Sequence, residues 1–338
     1  MKLRYIIMTA ILLALVSCAK EKSAALNEDA KRYFDAWISQ NHPTAVKTPL
    51  GAYIINETPG TGLASSDSLY VRLNYSVYTL DGNLANTTLE KKARQAGTYA
   101  KTDYYGPVVT YRGENLESLS AGVEEALSTM KVGGRKTVVI PGWLSESKRY
   151  DSEKKYLANC SGTDYVYELE LLDIFNDVDR WERDSLLKYL AANHPAAVED
   201  EELSGFFYVK TKDGTDKEFP ADTTIYVNYT GRLLNGMVFD TTIKDTAKVW
   251  NLYSADKTYQ QTKINWYGSS EDYTGITMGD SESSTITGFS YALNKMHPGE
   301  AGKCFFISKY GYKSSGSGSS IPGYSPLCFE LETTNAPE

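Results

Sequence analysis

Between Ile225 and Thr242 the chain alternates. Ile225, Val227, Tyr229 and Leu233 fall on one side of an extended segment, with Tyr226, Asn228, Thr230 and Arg232 on the other. That period of two marks a half-buried strand. Asn235-Gly236 follows, and both residues tolerate positive φ, so the pattern predicts a tight hairpin. The returning strand carries Phe239 and Asp240 side by side. In a twisted sheet these two and Tyr229 come near the rim of one concavity.

Other stretches have a helical period. Ala30, Tyr33, Phe34, Trp37 and Ile38 fall at i, i+3, i+4, i+7 and i+8 behind Asn27, a candidate cap, which predicts a helix. It should stop near Asn41-His42-Pro43, because proline disfavours helix at the residue before it. A second helix is predicted over Trp181–Leu190, ending at Asn193-His194-Pro195. Asn-His-Pro-x-Ala-Val occurs at both places, 193 − 41 = 152 residues apart. A probable strand follows each copy, Gly51–Asn56 and Gly205–Lys210.

The repeat runs on. Leu69, Val71, Leu73, Tyr75 and Val77 alternate and lead to Asp81-Gly82. Tyr75 aligns with Tyr229 at an offset of 229 − 75 = 154, and Gly122 with Gly288 at 288 − 122 = 166. The second copy therefore holds 166 − 154 = 12 extra residues, assigned to Ile243–Asp272, a stretch containing Trp250, Tyr253, Tyr259 and Trp266. Tyr165–Leu172 aligns with Leu327–Glu332. A unit of about 150 residues is repeated in tandem, and a period this long means duplicated domains rather than a solenoid. The expected organisation is a helix over 27–45, a first domain over 46–178, a helical linker over 179–198 and a second domain over 199–338.

Composition fits this picture. The chain has 338 residues, 41% hydrophobic, with 26 tyrosines and a net charge of −8. The length suits two or three domains, the tyrosines favour strands, and the absence of a basic patch argues against nucleic-acid binding. Lys2 and Arg4 precede an apolar run, Tyr5–Val16, whose 12 residues are too few to span a bilayer as a helix. The run ends in Leu15-Val16-Ser17-Cys18, which resembles the lipobox of bacterial lipoproteins. That resemblance implies cleavage after residue 17, a lipid on Cys18, a polar tether over 18–26 and a membrane-anchored protein in the cell envelope. Loss of Lys2 and Arg4 makes the mature charge −8 − 2 = −10. The plainer alternative is an ordinary secretory signal. The three histidines, His42, His194 and His297, are far apart and no cysteine spacing suits a metal, so no cofactor is expected.

Tyr229-Thr230-Gly231-x-Leu233-x-x-Gly236-x-x-Phe239-Asp240 resembles the signature of the FKBP family of peptidyl-prolyl cis-trans isomerases. Later segments follow in the family's order: Ile286-Thr287-Gly288-Phe289 opening a short helix that ends at Met296-His297-Pro298-Gly299, a strand over Lys303–Ser308, Tyr310-Gly311-Tyr312, Ile321-Pro322, and a strand over Leu327–Leu331. The match covers most of residues 204–332. It implies an α+β fold in each copy, an antiparallel sheet wrapped around one short helix. It also implies a proline pocket walled by Tyr229, Phe239 and Phe329 with Phe289 as its floor. Ile286 would offer its backbone N–H to a substrate carbonyl, Tyr312 would donate its hydroxyl to another, and Asp240 would sit beside the twisting amide. Asp240 and Tyr312 are the candidate catalytic residues, and proline-containing polypeptides the implied partners.

The chemistry needs neither nucleophile nor metal. Amide resonance gives the C–N bond a rotation barrier of about 18–20 kcal/mol. The planar amide is more polar than the twisted one, so a dry apolar pocket favours the twisted state, and hydrogen bonds that fit only that state add to the effect. Each residue also has a plainer reading: the phenylalanines as core, Asp240 as a turn cap, Tyr312 as a surface tyrosine.

The sequence departs from the family at three places. Lys313 stands where the family usually has glycine, Phe289 where it usually has tryptophan, and Ile276 where an aromatic residue is common. Ser314–Ser320 reads as a flexible loop. The first copy has Ala85-Asn86 against Phe239-Asp240, and Ser120 and Val123 against Ile286 and Phe289. It has a charged run, Ser145–Lys155, in place of the tyrosine loop, and no isomerase activity is expected of it. Cys304 and Cys328 fall on strands that neighbour in the family fold, so they form either a disulfide or two buried thiols. Two functional readings result: a lipid-anchored isomerase assisting folding of exported proteins, and a non-catalytic chaperone or protein-binding lipoprotein. A cell-surface scaffold is the third and weaker.

Overall fold

The computed structural model describes residues 27–335 apart from 66–68, 114–118, 221, 267–274 and 281–282. The expected signal segment, Cys18 and the expected tether lie outside the described residues, as does the end of the expected insertion at Asp272. The chain divides into two units. Unit 1 holds the chain up to Gly97 together with Thr110–Ile174, and unit 2 holds Thr98–Val109 and Phe175–Glu338. This differs from the sequence division at residues 98–109, which group with the second domain. The helix read as a linker groups there as well.

Unit 1 opens with helix α1 over 27–41. Only Phe34 and Ile38 of its apolar stripe are buried, and Tyr33 is 79% exposed. Phe34 meets Trp143 edge-on at 5.4 Å. Asn27 lies inside the helix rather than capping it; its amide donates to the carbonyls of Leu157 and Cys160. The strands are β1 (Val46–Lys47), β2 (Tyr53–Thr58), β3 (Tyr70–Thr79), β4 (Leu84–Thr87), β5 (Val108–Tyr111), β6 (Arg135–Ile140) and β7 (Tyr165–Phe175). They form one sheet in the order β1-β2-β6-β7-β3-β4, with β5 also on β3. The helices are α2 (Glu90–Ala96), α3 (Ala121–Ser128) and α4 (Glu153–Asn159). Alternation buries Val71 and Leu73 of β3 and Leu169 and Leu171 of β7, with Val123 and Leu127 of α3. The charged run folds in part into α4, which buries Tyr156.

Unit 2 repeats this plan. Helix α5 (Val178–Asn193) is followed by β8 (Val198–Glu199), β9 (Phe206–Lys212), β10 (Thr223–Leu233) and β11 (Val238–Thr241). Then come α6 (Lys244–Val249), β12 (Thr262–Trp266), β13 (Ile276–Met278), β14 (Ser283–Ser284), α7 (Thr287–Asn294), β15 (Ala301–Phe306) and β16 (Leu327–Thr334). The sheet order is β14-β13-β12-β10-β16-β15-β9-β8, with β11 on β10. The series β8-β9-β15-β16-β10-β11 reproduces β1-β2-β6-β7-β3-β4. Each unit is thus α+β, an antiparallel sheet around a short helix. The described part of the stretch expected to be an insertion, residues 243–266, has counterparts in unit 1, so the extra residues lie after it. Helix α6 is the counterpart of α2 at the same offset, 244 − 90 = 154. Strand β12 is likewise the counterpart of β5, 262 − 108 = 154, and pairs with β10 as β5 pairs with β3; among the described residues the strands without a counterpart in unit 1 are β13 and β14, beyond β12.

Cys304 and Cys328 are free thiols. Cys304 pairs with Phe329 and Cys328 with Phe305, and side chains alternate along a strand. Cys304 accordingly belongs to the apolar cluster under α7, and Cys328 to a second cluster with Leu186 and Leu190 of α5. The strands are neighbours, yet the two sulfurs lie on opposite faces.

Helix α5 is fastened by a buried carboxyl. Glu182 is fully buried and accepts from the backbone N–H of Ser308 at 2.5 Å and from its hydroxyl at 2.6 Å. Ser308 opens the 3-10 turn that leads to Tyr312. Burial pushes the Glu182 carboxyl up to about 7, against the pull of the two Ser308 hydrogen bonds. A raised carboxyl pKa means that the folded chain holds a proton the unfolded chain has lost. The stabilisation is complete below about 4.5 and is lost as pH rises towards 7. Over that window the difference corresponds to roughly 3 kcal/mol at most. Glu182→Gln should flatten the fall in stability between pH 4.5 and 7. Denaturant unfolding of both proteins across this range checks it, and parallel profiles would contradict the assignment.

Candidate active site

The site is built on β10 and β11. Three neighbours pair with β10, namely β11, β12 and β16, so both of its edges are occupied. Between β10 and β11 the register slips: Gly231 faces Asp240 and Arg232 faces Val238, leaving Phe239 unpaired. This is a β-bulge, and bulges re-aim side chains. In a regular strand Phe239 and Asp240 would point to opposite faces. Here the Phe239 ring meets Phe329 edge-on at 5.6 Å, and Asp240 Oδ2 accepts from the Tyr229 hydroxyl at 2.6 Å. Tyr229 N–H in turn donates to Thr242 Oγ1 at 2.9 Å, and Thr241 Oγ1 donates to the Tyr229 carbonyl at 3.1 Å. These bonds pin the bulge beside the tyrosine.

The aromatic side chains converge on Phe329. Its ring lies 5.3 Å from Phe289, 5.9 Å from Phe306 and 6.3 Å from Tyr229. Tyr229 meets Phe289 edge-on at 5.6 Å. Such offset and edge contacts add about 0.5–1.5 kcal/mol each beyond area burial. Phe239, Ile286 and Tyr312 are part-buried and pack against the same cluster. All seven pocket and catalytic residues expected from the sequence therefore meet around one apolar body. Phe289 is buried in α7, and Ile276 is buried in β13.

The polar groups differ in how fully they are engaged. Asp240 has 43% of its side chain exposed, and its Oδ1 takes Lys257 Nζ at 2.7 Å and the Thr241 N–H at 2.9 Å. Burial raises the Tyr229 hydroxyl pKa strongly, and the charge of Asp240 and their hydrogen bond add to it. Tyr312 is raised by burial and by the same charge, so it stays a protonated donor at neutral pH. Among the described residues neither the Tyr312 hydroxyl nor the Ile286 backbone N–H has a hydrogen-bond partner. Ile286 precedes the first turn of α7 with extended backbone, φ −69° and ψ 143°. No cluster of His, Cys, Asp or Glu among the described residues is placed to hold a metal ion.

Sequence reasoning passed over two residues of the site. Gly231 sits mid-strand, and a Cβ there would lie 2.5 Å from the Phe239 ring and 3.0 Å from Phe329. A glycine inside an alternating strand is itself a signal of close approach. Lys257, 17 residues beyond Asp240, carries no local signal at all. The loop after Tyr312 is more ordered than its serines and glycines suggest: Ser317 and Ile321 exchange backbone hydrogen bonds of 2.7 and 3.1 Å.

Residues 216–334 match the family model of FKBP-type peptidyl-prolyl cis-trans isomerase. They form an FKBP-type domain. The chain is also similar to the macrophage infectivity potentiator of Trypanosoma cruzi, 28% identical over 130 residues, which are 38% of this chain and 52% of that protein. The chain thus spans about half the length of this curated relative. Among solved structures, a peptidyl-prolyl isomerase from Pseudomonas syringae pv. tomato is 21% identical over 47% of this chain and 96% of its own, with a TM-score of 0.32. The three FKBP domains of wheat FKBP73 are 16% identical over 84% of this chain and 94% of their own, with a TM-score of 0.29. FkpA of Escherichia coli is 18% identical over 47% and 62%, with a TM-score of 0.31.

Lys313 explains the glycine that FKBP-type sequences favour at its place. Its φ is +54°, the left-handed region, which costs a side-chain-bearing residue roughly 1–2 kcal/mol. Glycine avoids that strain but loses about 0.5–1 kcal/mol through its freer unfolded chain. Lys313→Gly should therefore stabilise the FKBP-type domain by about 0.5–1 kcal/mol. Thermal unfolding reads the change, and a lower midpoint would show that the conformation is not what glycine serves there.

Proposed function

We propose that the FKBP-type domain of unit 2 is a peptidyl-prolyl cis-trans isomerase acting on proline-containing polypeptides. The observation that carries this is the convergence of Tyr229, Phe239, Phe289 and Phe329 beside Asp240, with two unused donors, Ile286 N–H and Tyr312 hydroxyl, at the same apolar body. A proline ring enters between the aromatic walls. The two donors hold the carbonyls that flank the peptide bond. Asp240, oriented by Tyr229 and Lys257, sits beside the twisting amide. Removal of water favours the less polar twisted state, and fixed donors stabilise it without reorganising.

Three further parts complete the reading. The N-terminal segment is a lipoprotein signal, Cys18 the lipidated residue, and the mature protein is anchored in a bacterial cell envelope, facing the periplasm or the surface. Among the described residues no helix is long and apolar enough to cross a membrane, and attachment rests on the lipid. The clients are exported chains, in which X-Pro isomerisation takes tens to hundreds of seconds unaided. Nucleic acid is not a partner.

Unit 1 is proposed as a non-catalytic module arising from the same ancestral domain. Its counterpart of the Asp240 pair is Asn86, whose amide donates to the Tyr75 hydroxyl at 3.3 Å. The bulge recurs, with Ala85 unpaired between Asn86 and Leu84, but the unpaired residue has no ring. This favours a chaperone or protein-binding role for unit 1.

A proline-peptide isomerisation assay on the full chain tests the reading. Asp240→Ala and Tyr312→Phe should each lower kcat/KM by about tenfold or more, equivalent to about 1.4 kcal/mol of transition-state stabilisation. A parent protein that does not accelerate isomerisation would remove the enzyme reading and leave peptide binding alone.

A further inference from the structure

Residues 98–109 leave unit 1 after Gly97 and return to it at Thr110, yet they cluster with unit 2. They are fastened at two places. Tyr104 N–H donates to the Ser319 carbonyl at 2.8 Å, and the Ser319 hydroxyl donates to Asp103 Oδ1 at 2.6 Å. Lys101 Nζ donates to the Val249 carbonyl and lies 5.4 Å from the centre of the Trp250 ring. Ser319 belongs to the loop after Tyr312, and Val249 and Trp250 end the helix that follows Asp240. The segment therefore spans from one rim of the cleft to the other. At the Ser319 fastening, part-buried Tyr104 packs against the apolar cluster that contains Tyr229, Phe289 and Phe329.

The segment is also braced internally. Tyr99 and Tyr105 stack at 5.4 Å, the Ala100 N–H donates to the Tyr105 hydroxyl at 3.2 Å, and the Tyr104 hydroxyl donates to the Pro107 carbonyl at 3.1 Å. The same brace occurs in unit 2's own rim loop at the offset of 154. There Tyr253 and Tyr259 stack at 5.4 Å, and the Ser254 N–H donates to the Tyr259 hydroxyl at 3.0 Å. In that loop Lys257 reaches Asp240. Its counterpart at 257 − 154 = 103 is Asp103, which is bonded to Ser319 instead. Asp103-Tyr104-Tyr105-Gly106-Pro107 is itself an aromatic segment ending in proline, the chemistry an FKBP-type cleft would accept.

We infer that residues 101–107 form an autoinhibitory strap, an intramolecular occupant of the unit 2 cleft that a proline-containing client must displace. The inference rests on the reading of that cleft as a peptide site. A tethered segment competes at an effective concentration in the millimolar range, so a few hydrogen bonds and one aromatic side chain suffice to hold it. If the open form is about a tenth of the population, a client binds with about a tenth of the intrinsic affinity.

The test uses the full chain in three forms: the parent, Tyr104→Ala, and the double variant Asp103→Cys with Ser319→Cys. Each is measured for binding of a fluorescent Ala-Leu-Pro-Phe peptide by anisotropy and for isomerisation of that sequence. Tyr104→Ala should bind about tenfold more tightly than the parent and turn over faster at low peptide concentration. The oxidised double variant should lose binding and regain it on reduction, which separates closure from misfolding. If all forms bind and isomerise alike, the strap is overturned while the isomerase reading stands. If no form binds or isomerises, both fall.

Discussion

The site depends on one slipped register. Leaving Phe239 unpaired opposite β10 allows two consecutive residues to address the same concave side, an apolar ring and a carboxylate. Without the slip, either the ring or the carboxylate would point away from the cleft. The cost of the interrupted ladder is met by side-chain bonds from Thr241 and Thr242 to the Tyr229 backbone. Gly231 completes the arrangement from the facing strand, because any side chain there would collide with the rings of Phe239 and Phe329. Bulge, threonines and glycine act as one device for crowding aromatics around an anion.

The two units share part of this device and differ in the rest. Unit 1 keeps the strand order, the bulge and the hydrogen bond to the strand tyrosine. What it lacks are a charge at Asn86, a ring at Ala85 and a floor at Val123. Val123 still fills the core and Asn86 still pairs with Val77 in the ladder, so the sheet keeps its form with these residues in place. In the unit 2 helix α7, Phe289 fills the core and lies 5.3 Å from the Phe329 ring.

Much of this was legible in the sequence, for physical reasons that can be stated. Alternation in Ile225–Leu233 and the Asn-Gly turn specify a hairpin through local sterics and burial, and the ordered aromatics follow from it. The apolar stripe of α1 was only half right, since the period names a face but not how much of it meets a neighbour: Tyr33 stays in solvent. The partners of Asn27, which does not cap the helix, the place of the extra residues and the grouping of residues 98–109 were not legible. Each depends on long-range partners, such as Leu157 for Asn27 and Ser319 for Tyr104. Lys257 belongs to the same class. The left-handed backbone at Lys313 is hidden because lysine is a poor marker of that conformation.

The placement of the sulfurs has a bearing on where such a chain can mature. Burial raises the Cys328 thiol to about 12 and that of Cys304 well above its ordinary value, so neither forms the thiolate that exchange chemistry requires. With the central sheet between them they cannot join, and Cys160 is likewise buried. The described part of the molecule is therefore held without a disulfide bond, and its three buried thiols take no part in cross-linking the fold.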